Sequence, residues 1–164
     1  MFYKKNGLLH EGFQEVYLSI RNDIIKKIES IKKSKKIYIT GHSLGATLAT
    51  LACIDIEYTL KKKITALYTF ASPRVGDNDF VKAFNNSFSK KTYRIANCSD
   101  IVTEIPFPAM IMNVFGGYFS HVDSPIVFTI QENDIEKNHD ISTYINALKE
   151  EQRNIVRKII EIFV

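Results

Sequence analysis

Gly41-His42-Ser43-Leu44-Gly45 is the stretch whose residue types and spacing could do chemistry. Lys36-Ile37-Tyr38-Ile39-Thr40 precedes it, a β-branched and aromatic segment that reads as a strand. Ala46-Thr47-Leu48-Ala49-Thr50-Leu51-Ala52 follows, small and apolar, and reads as a buried helix. Strand, Gly-x-Ser-x-Gly and helix together are the context of a nucleophile elbow. A turn this tight calls for small residues on both sides, hence Gly41 and Gly45. It lifts the Ser43 hydroxyl to the carboxyl end of the sheet. It also turns the Leu44 amide, at the positive end of the helix, toward any oxyanion forming there. An ordinary Gly/Ser turn before a helix would explain the pentapeptide but not both flanks.

A serine hydroxyl is a poor nucleophile near neutral pH. It needs a base within hydrogen-bond reach, and the base needs an acid to fix its tautomer. Where an elbow of this kind occurs in α/β-hydrolases, the order along the chain is Ser, acid, His, on loops at the carboxyl ends of strands. Asp100 meets the acid's requirement best, because it follows a predicted strand two crossovers beyond the elbow. Its competing reading is a turn or cap aspartate. Asp77 and Asp79 also follow a strand, but Asp77 is better placed to cap the next helix. Four histidines compete for the base. His42 sits inside the elbow, where its side chain should point away from the Ser43 hydroxyl. His10 precedes the acid and breaks the order. His121 falls in a predicted strand, where a packed, hydrogen-bonded histidine is the default. His139, in a polar loop after the last strand, is where the topology wants the base, with His121 as the alternative.

The elements that must position these groups alternate. Phe13, Val16, Tyr17, Ile20, Ile24, Ile28 and Ile31 recur at three and four, one apolar helical stripe. After the elbow strand and helix, Ile64 to Phe70 reads as a second buried strand. Ala71-Ser72-Pro73-Arg74-Val75-Gly76 is a loop by its Pro and Gly. Asp77 to Phe88 reads as a short helix and Thr92 to Ala96 as a third strand. Tyr118 to Val122 and Ile126 to Ile130 are further strand candidates, separated by Asp123-Ser124-Pro125. Helical patterning resumes near Ser142 and again at Ile155, Val156, Ile159, Ile160 and Phe163. Strands alternating with helices predict an α/β fold: a mainly parallel sheet with helices on both faces. No repeat or linker divides residues 1–164, which read as a single domain.

Composition narrows the class. The chain has 164 residues, 45% of them hydrophobic, enough for a real core and against disorder. No apolar run reaches the roughly 18 residues of a membrane span, and residues 1–7 lack the apolar core of a signal peptide. Two cysteines, Cys53 and Cys98, are too few for a disulfide framework, so free thiols and a cytoplasmic setting are expected. The net charge is +4. Its lysine clusters, Lys32-Lys33, Lys35-Lys36 and Lys61-Lys62-Lys63, sit where helices should end, which suits the helix dipole. They lack the interleaved arginines and aromatics of a nucleic-acid surface, so nucleic acid is not expected as a partner. A solvated surface is the main reading, and attraction to anionic membranes the secondary one.

The sequence resembles the fungal-type class 3 lipases of the α/β-hydrolase group. His10-Glu11-Gly12-Phe13 with Tyr17 looks like that family's His-x-Gly-Phe helix start. Gly41 to Ala46 looks like its elbow, with Ala46 where a third glycine is common. Thr69-Phe70-Ala71-Ser72-Pro73-Arg74-Val75-Gly76 with Phe80 is similar to its Thr-Phe-Gly-Ser-Pro-Arg-Val-Gly stretch, the most specific match. Arg94, Asn97, Asp100, Val102 and Pro106 fit a further family pattern. Tyr118 with His121 fits a Tyr-x-His element, and His139 with Tyr144 a late His followed by an aromatic.

The resemblance implies a serine esterase acting on acylglycerols or phospholipid-like esters. It places the catalytic roles on Ser43, Asp100 and His139 and the first oxyanion amide on Leu44, needs no metal or organic cofactor, and makes His121 structural. It also implies a departure. The family's oxyanion strand, ending in Phe-Arg-Gly-Thr, and the lid after it lie upstream of the region matched here. The chain is therefore expected to correspond to an N-terminally truncated hydrolase fold. No second oxyanion donor is identified, and the elbow strand becomes an apolar sheet edge. The expected partner is a lipid or small ester, with peripheral contact to a lipid surface. Phe107 to Phe119, rich in Met, Phe and Ile, is a candidate border of the acyl pocket, though loop packing is the commoner use of such a stretch. The rival reading is a catalytically impaired, lipase-like remnant kept as a binding or scaffold module.

Overall fold

The computed structural model of the chain describes residues 7–106 and 119–163, the last ten as backbone only. Its elements run α1 (Glu11–Glu29), β1 (Tyr38–His42), α2 (Leu44–Leu60), β2 (Ala66–Phe70), α3 (Asn78–Phe88), β3 (Thr92–Asn97), β4 (Pro125–Phe128), α4 (Ile135–His139) and α5 (Ile141–Phe163). The strands form one sheet in the order β1-β2-β3-β4, every pair parallel. Among the described residues β1 pairs with β2 alone.

Alternation along the strands separates two cores. Ile39 and Leu67, paired in register, face the larger one. There α1, α2 and α3 contribute Tyr17, Leu51, Ile54, Phe80 and Phe84, all buried. Consecutive parallel strands linked by right-handed crossovers put α2 and α3 on this same face. Phe70 and Ile95, also paired in register, face the other side, where Tyr144 of α5 is fully buried against them and Phe128. Helices thus lie on both faces, and among the described residues the second face is covered only toward the carboxyl ends of its strands. Tyr68 and Tyr93 stack there at 4.9 Å, and Tyr38, Tyr93 and Ile126 remain exposed.

The elbow helix is anchored from behind. Asp55 on α2 is buried and accepts hydrogen bonds from Tyr17 Oη at 2.8 Å and Arg21 Nη2 at 3.0 Å, both on α1. A buried carboxylate with these partners is satisfied rather than costly, and it ties α1 to the helix that follows Ser43.

Four expectations need correction. β1 begins two residues later than expected and includes Gly41 and His42, so the turn is confined to Ser43. No strand forms at the described part of 118–122. Ser120 makes an isolated antiparallel bridge to Gly76, and Asp123, at φ 56°, turns the chain before β4. His139 is not in a loop but ends α4, a helical turn started by Asp134, whose carboxylate accepts from Lys137 N at 3.1 Å. The two late helical patterns are one helix, α5. The candidate pocket border at Phe107 to Phe119 lies, except for Phe119, outside the described residues. No described helix is long and apolar enough to cross a membrane.

Candidate active site

Ser43 is the residue at which β1 stops and α2 starts. Its backbone has φ 56° and ψ −129°, a conformation a non-glycine residue adopts only when its surroundings enforce it. On the strand side, Ser43 N donates to Phe70 O at 3.0 Å, continuing the β1–β2 ladder. On the helix side, Ala46 N donates to Ser43 O at 2.9 Å. The steric demand falls on one glycine, not two. A Cβ on Gly41 would lie 2.1 Å from Gly45 O and 2.4 Å from Gly45 C, so strand and helix approach this closely only with glycine there. A Cβ on Gly45 would meet nothing within 4 Å. Leu44 opens α2, so its N–H is one of the donors that a helix start leaves without an intrahelical acceptor.

Three side chains from three elements meet at the carboxyl end of the sheet. Ser43 Oγ lies 2.7 Å from His139 Nε2, and His139 Nδ1 lies 2.9 Å from Asp100 Oδ2. The chain order is Ser, acid, His. With Nδ1–H donating to the carboxylate, Nε2 is left to accept the serine proton. Asp100 is 1% exposed. Its Oδ1 accepts from Val102 N at 2.9 Å and its Oδ2 from Tyr144 Oη at 2.6 Å as well as from His139. Asp100 thus divides its two oxygens: one caps the turn at Ile101–Glu104 and the other faces the histidine.

Two residues organise this trio whose roles were not read from the sequence. Tyr144 accepts from Asn97 N at 3.2 Å while donating to Asp100. Burial, then that bond to a carboxylate, pushes its phenol well above the usual tyrosine range, so it stays a donor. Asn97 is fully buried. Its Nδ2 donates to Ile130 O at 3.0 Å and Asn138 O at 3.1 Å, and its Oδ1 accepts from Ile130 N at 3.0 Å. It binds the end of β3 to the segment leading into His139. Both belong to the family-like pattern, and the spacing of Tyr144, five residues past His139, was the available signal.

The other candidates are spent elsewhere. His42 Nε2 donates to the backbone carbonyl of His139 at 2.8 Å, and its ring packs against that of His139 at 4.7 Å between centroids. His121 Nε2 donates to Thr103 O at 2.7 Å. Burial, then the nearby Arg94 guanidinium, depresses its pKa to about 4, which keeps it neutral and structural. His10 starts α1 and its ring packs on Phe13 at 4.4 Å. Asp77 caps α3, accepting from Phe80 N at 2.8 Å, and Asp79 lies in the first turn of the same helix. No group of three or more His, Cys, Asp or Glu able to hold a metal ion occurs among the described residues.

Residues 1–110 match the family model described as lipase (class 3). That span includes Ser43, Leu44 and Asp100 but not His139, whose place rests on the geometry above. A secreted mono- and diacylglycerol lipase of Malassezia globosa is 32% identical, covering 64% of this chain and 36% of its own length. A phospholipase A1-II of Oryza sativa subsp. japonica is 30% identical, covering 85% of this chain and 39% of its own. The chain thus spans well under half of each relative. Among solved structures, a mono- and diacylglycerol lipase from Aspergillus oryzae superposes with a TM-score of 0.63 at 29% identity, covering 77% of this chain and 44% of that one. The triacylglyceride lipase of Rhizomucor miehei superposes at 0.60 and 27% identity, covering 76% and 46%.

Proposed function

Because the chain belongs to the class 3 lipase family, we propose that it is a serine hydrolase cleaving carboxylic esters of lipids. Relatives named as a mono- and diacylglycerol lipase and a phospholipase A1 support the substrate class. The observation that carries the mechanism is the unbroken run from Ser43 Oγ through His139 to Asp100, at 2.7 and 2.9 Å.

In this reading Ser43 Oγ attacks the ester carbonyl carbon as its proton passes to His139 Nε2. The oxyanion of the tetrahedral intermediate is met by the Leu44 N–H at the positive end of α2. Asp100 holds Nδ1–H and stabilises the imidazolium. As the intermediate collapses, the bond to the alcohol oxygen breaks, His139 returns the proton to it, and the acyl group stays on Ser43. Water, deprotonated by His139, then attacks the acyl carbon, and the acid leaves with Ser43 reprotonated. A mutation-tested oxyanion donor is typically worth about 10²–10³ in kcat. A site relying on Leu44 alone would therefore be slow.

That β1 pairs with β2 alone among the described residues favours a second reading, a remnant that binds but does not turn over. One experiment separates them: intact-mass labelling of the 164-residue chain with a fluorophosphonate, alongside Ser43→Ala and His139→Ala, followed by hydrolysis of a short p-nitrophenyl ester. The serine-hydrolase reading expects stoichiometric labelling, none in Ser43→Ala, at least about 10²-fold slower labelling in His139→Ala, and Ser43-dependent ester turnover. A folded wild-type chain that takes no label sinks the assembled site. Labelling without turnover selects the remnant.

A further inference from the structure

Lys32-Lys33 and Lys35-Lys36, which share one turn, meet Lys61-Lys62-Lys63, some 25 residues further along the chain, at the end of the sheet opposite Ser43. They line a hollow of about 250 Å3 between the α1–β1 and α2–β2 turns. Its walls are Lys32, Lys33, Lys35, Lys36, Lys61, Lys62 and Lys63, with Ser34, Thr65 and Ile37. Among the described residues no carboxylate lines it.

The two turns are clamped to each other. Lys62 is buried, and its ammonium donates to Ile28 O at 2.7 Å, Glu29 O at 2.8 Å and the carbonyl of Ile31, capping the end of α1. Thr65 N donates to Ile37 O at 2.7 Å, and Ile37 N to Thr65 Oγ1 at 3.1 Å. Lys61, at φ 52°, adopts the left-handed conformation that usually falls to glycine, and its ammonium stands 4.9 Å over the Tyr58 ring. The six exposed lysines therefore lie on two turns that backbone and buried contacts hold against each other around one concavity. Like charges so gathered repel one another, and an anion of matching charge offsets that repulsion.

We propose that this hollow binds a small soluble polyanion of the polyphosphate class. Lysines serve as point-charge phosphate ligands. The lining holds no arginine and no aromatic ring, which leaves nothing to stack on nucleic-acid bases. Its one apolar member, Ile37, is buried, which leaves nothing to enter a bilayer. The hollow is also separated from Ser43 by the length of β1, roughly 17 Å at about 3.3 Å per residue. A membrane held there would face away from the site, so the ligand is neither the ester substrate nor the surface that presents it. The proposal does not depend on the hydrolase reading.

Titration calorimetry of the 164-residue chain with sodium tripolyphosphate at 150 mM salt tests it. Parallel arms use inorganic phosphate and vesicles of three parts phosphatidylserine to seven of phosphatidylcholine. The expected result is saturable one-to-one binding of tripolyphosphate, weaker binding of phosphate, and no sedimentation with vesicles. Lys33→Glu/Lys35→Glu/Lys63→Glu, which spares the buried Lys62, should weaken tripolyphosphate binding at least about tenfold. Without ligand it should melt no lower than wild type, since it relieves repulsion. Should that variant fail to fold, the same three positions changed to Gln give the reading. Equal affinity in the variant overturns the proposal, and so does absence of saturable binding to wild type. Capture by vesicles without binding of tripolyphosphate also overturns it and makes the patch a membrane face.

Discussion

Tyr144 and His121 show how single side chains in this chain carry measurable consequences. Tyr144→Phe removes the 2.6 Å donor to Asp100 and leaves the buried Asn97 N–H without its 3.2 Å acceptor. A lost bond to a charged group and an orphaned amide should together cost about 1–3 kcal/mol of stability. Fluorophosphonate labelling should slow but still require Ser43. Labelling and melting both unchanged would remove Tyr144 from any positioning role. His121 has a pKa depressed from its ordinary 6.5 to about 4. Below pH 6.5 the unfolded chain takes up a proton there that the folded chain refuses, so stability is complete above pH 6.5 and falls toward pH 4. The full loss is on the order of 3 kcal/mol. Melts of wild type and His121→Gln between pH 7 and 4 should show a shallower acid slope in the variant. Parallel slopes would argue that other groups govern acid stability.

At the scale of elements the elbow makes a sharp distinction between its two glycines. Gly41→Ala forces a methyl to 2.1 Å from the carbonyl of Gly45, so the strand–helix junction must open. We expect loss of labelling and a stability loss above about 3 kcal/mol. Gly45→Ala places its methyl in open space on a helix, where alanine is better than glycine by about 1 kcal/mol. It should melt slightly higher and label normally. Equal damage from both substitutions would mean that the turn is not shaped as described. The sequence pattern, symmetrical about Ser43, could not tell the two apart, because which Cβ meets the other element depends on the path of the helix. The elements themselves were largely legible: α1, α2, α3 and the first three strands follow apolar periodicity and turn chemistry. The region after Asp100 was not. Ser120 and His121 alternate like a strand, yet their backbone and side chains are taken by Gly76 and Thr103, partners that no local pattern encodes.

At the scale of the whole molecule, among the described residues β1 pairs with β2 alone and one face of the sheet is partly exposed. Tyr38 at the edge is 58% exposed, and Tyr93 and Ile126 extend the apolar surface across the same face. A strand edge with unpaired backbone groups beside such a face is a template for further pairing. We expect concentration-dependent self-association in sedimentation velocity, reduced by Tyr38→Lys, which puts a charge on the edge. A monodisperse monomer throughout the micromolar range would show that the edge is protected in solution.

The sequence by itself determined the chemistry on offer. An elbow serine, an acid after a strand and a late histidine can be ranked by chain order, because parallel sheets deliver their loops to one end. Local patterns also determined the α/β alternation, since apolar spacing records which side of each element is buried. Only the tertiary structure decided how these parts meet. It set Ser43 and Asp100 at 2.7 and 2.9 Å from the two ring nitrogens of His139, gave Asn97 and Tyr144 the task of holding them, and gathered the lysines of two distant turns into one hollow. Each of these rests on contacts between residues tens of positions apart, and such contacts are set by the packing of whole elements rather than by the residues next to them in the chain.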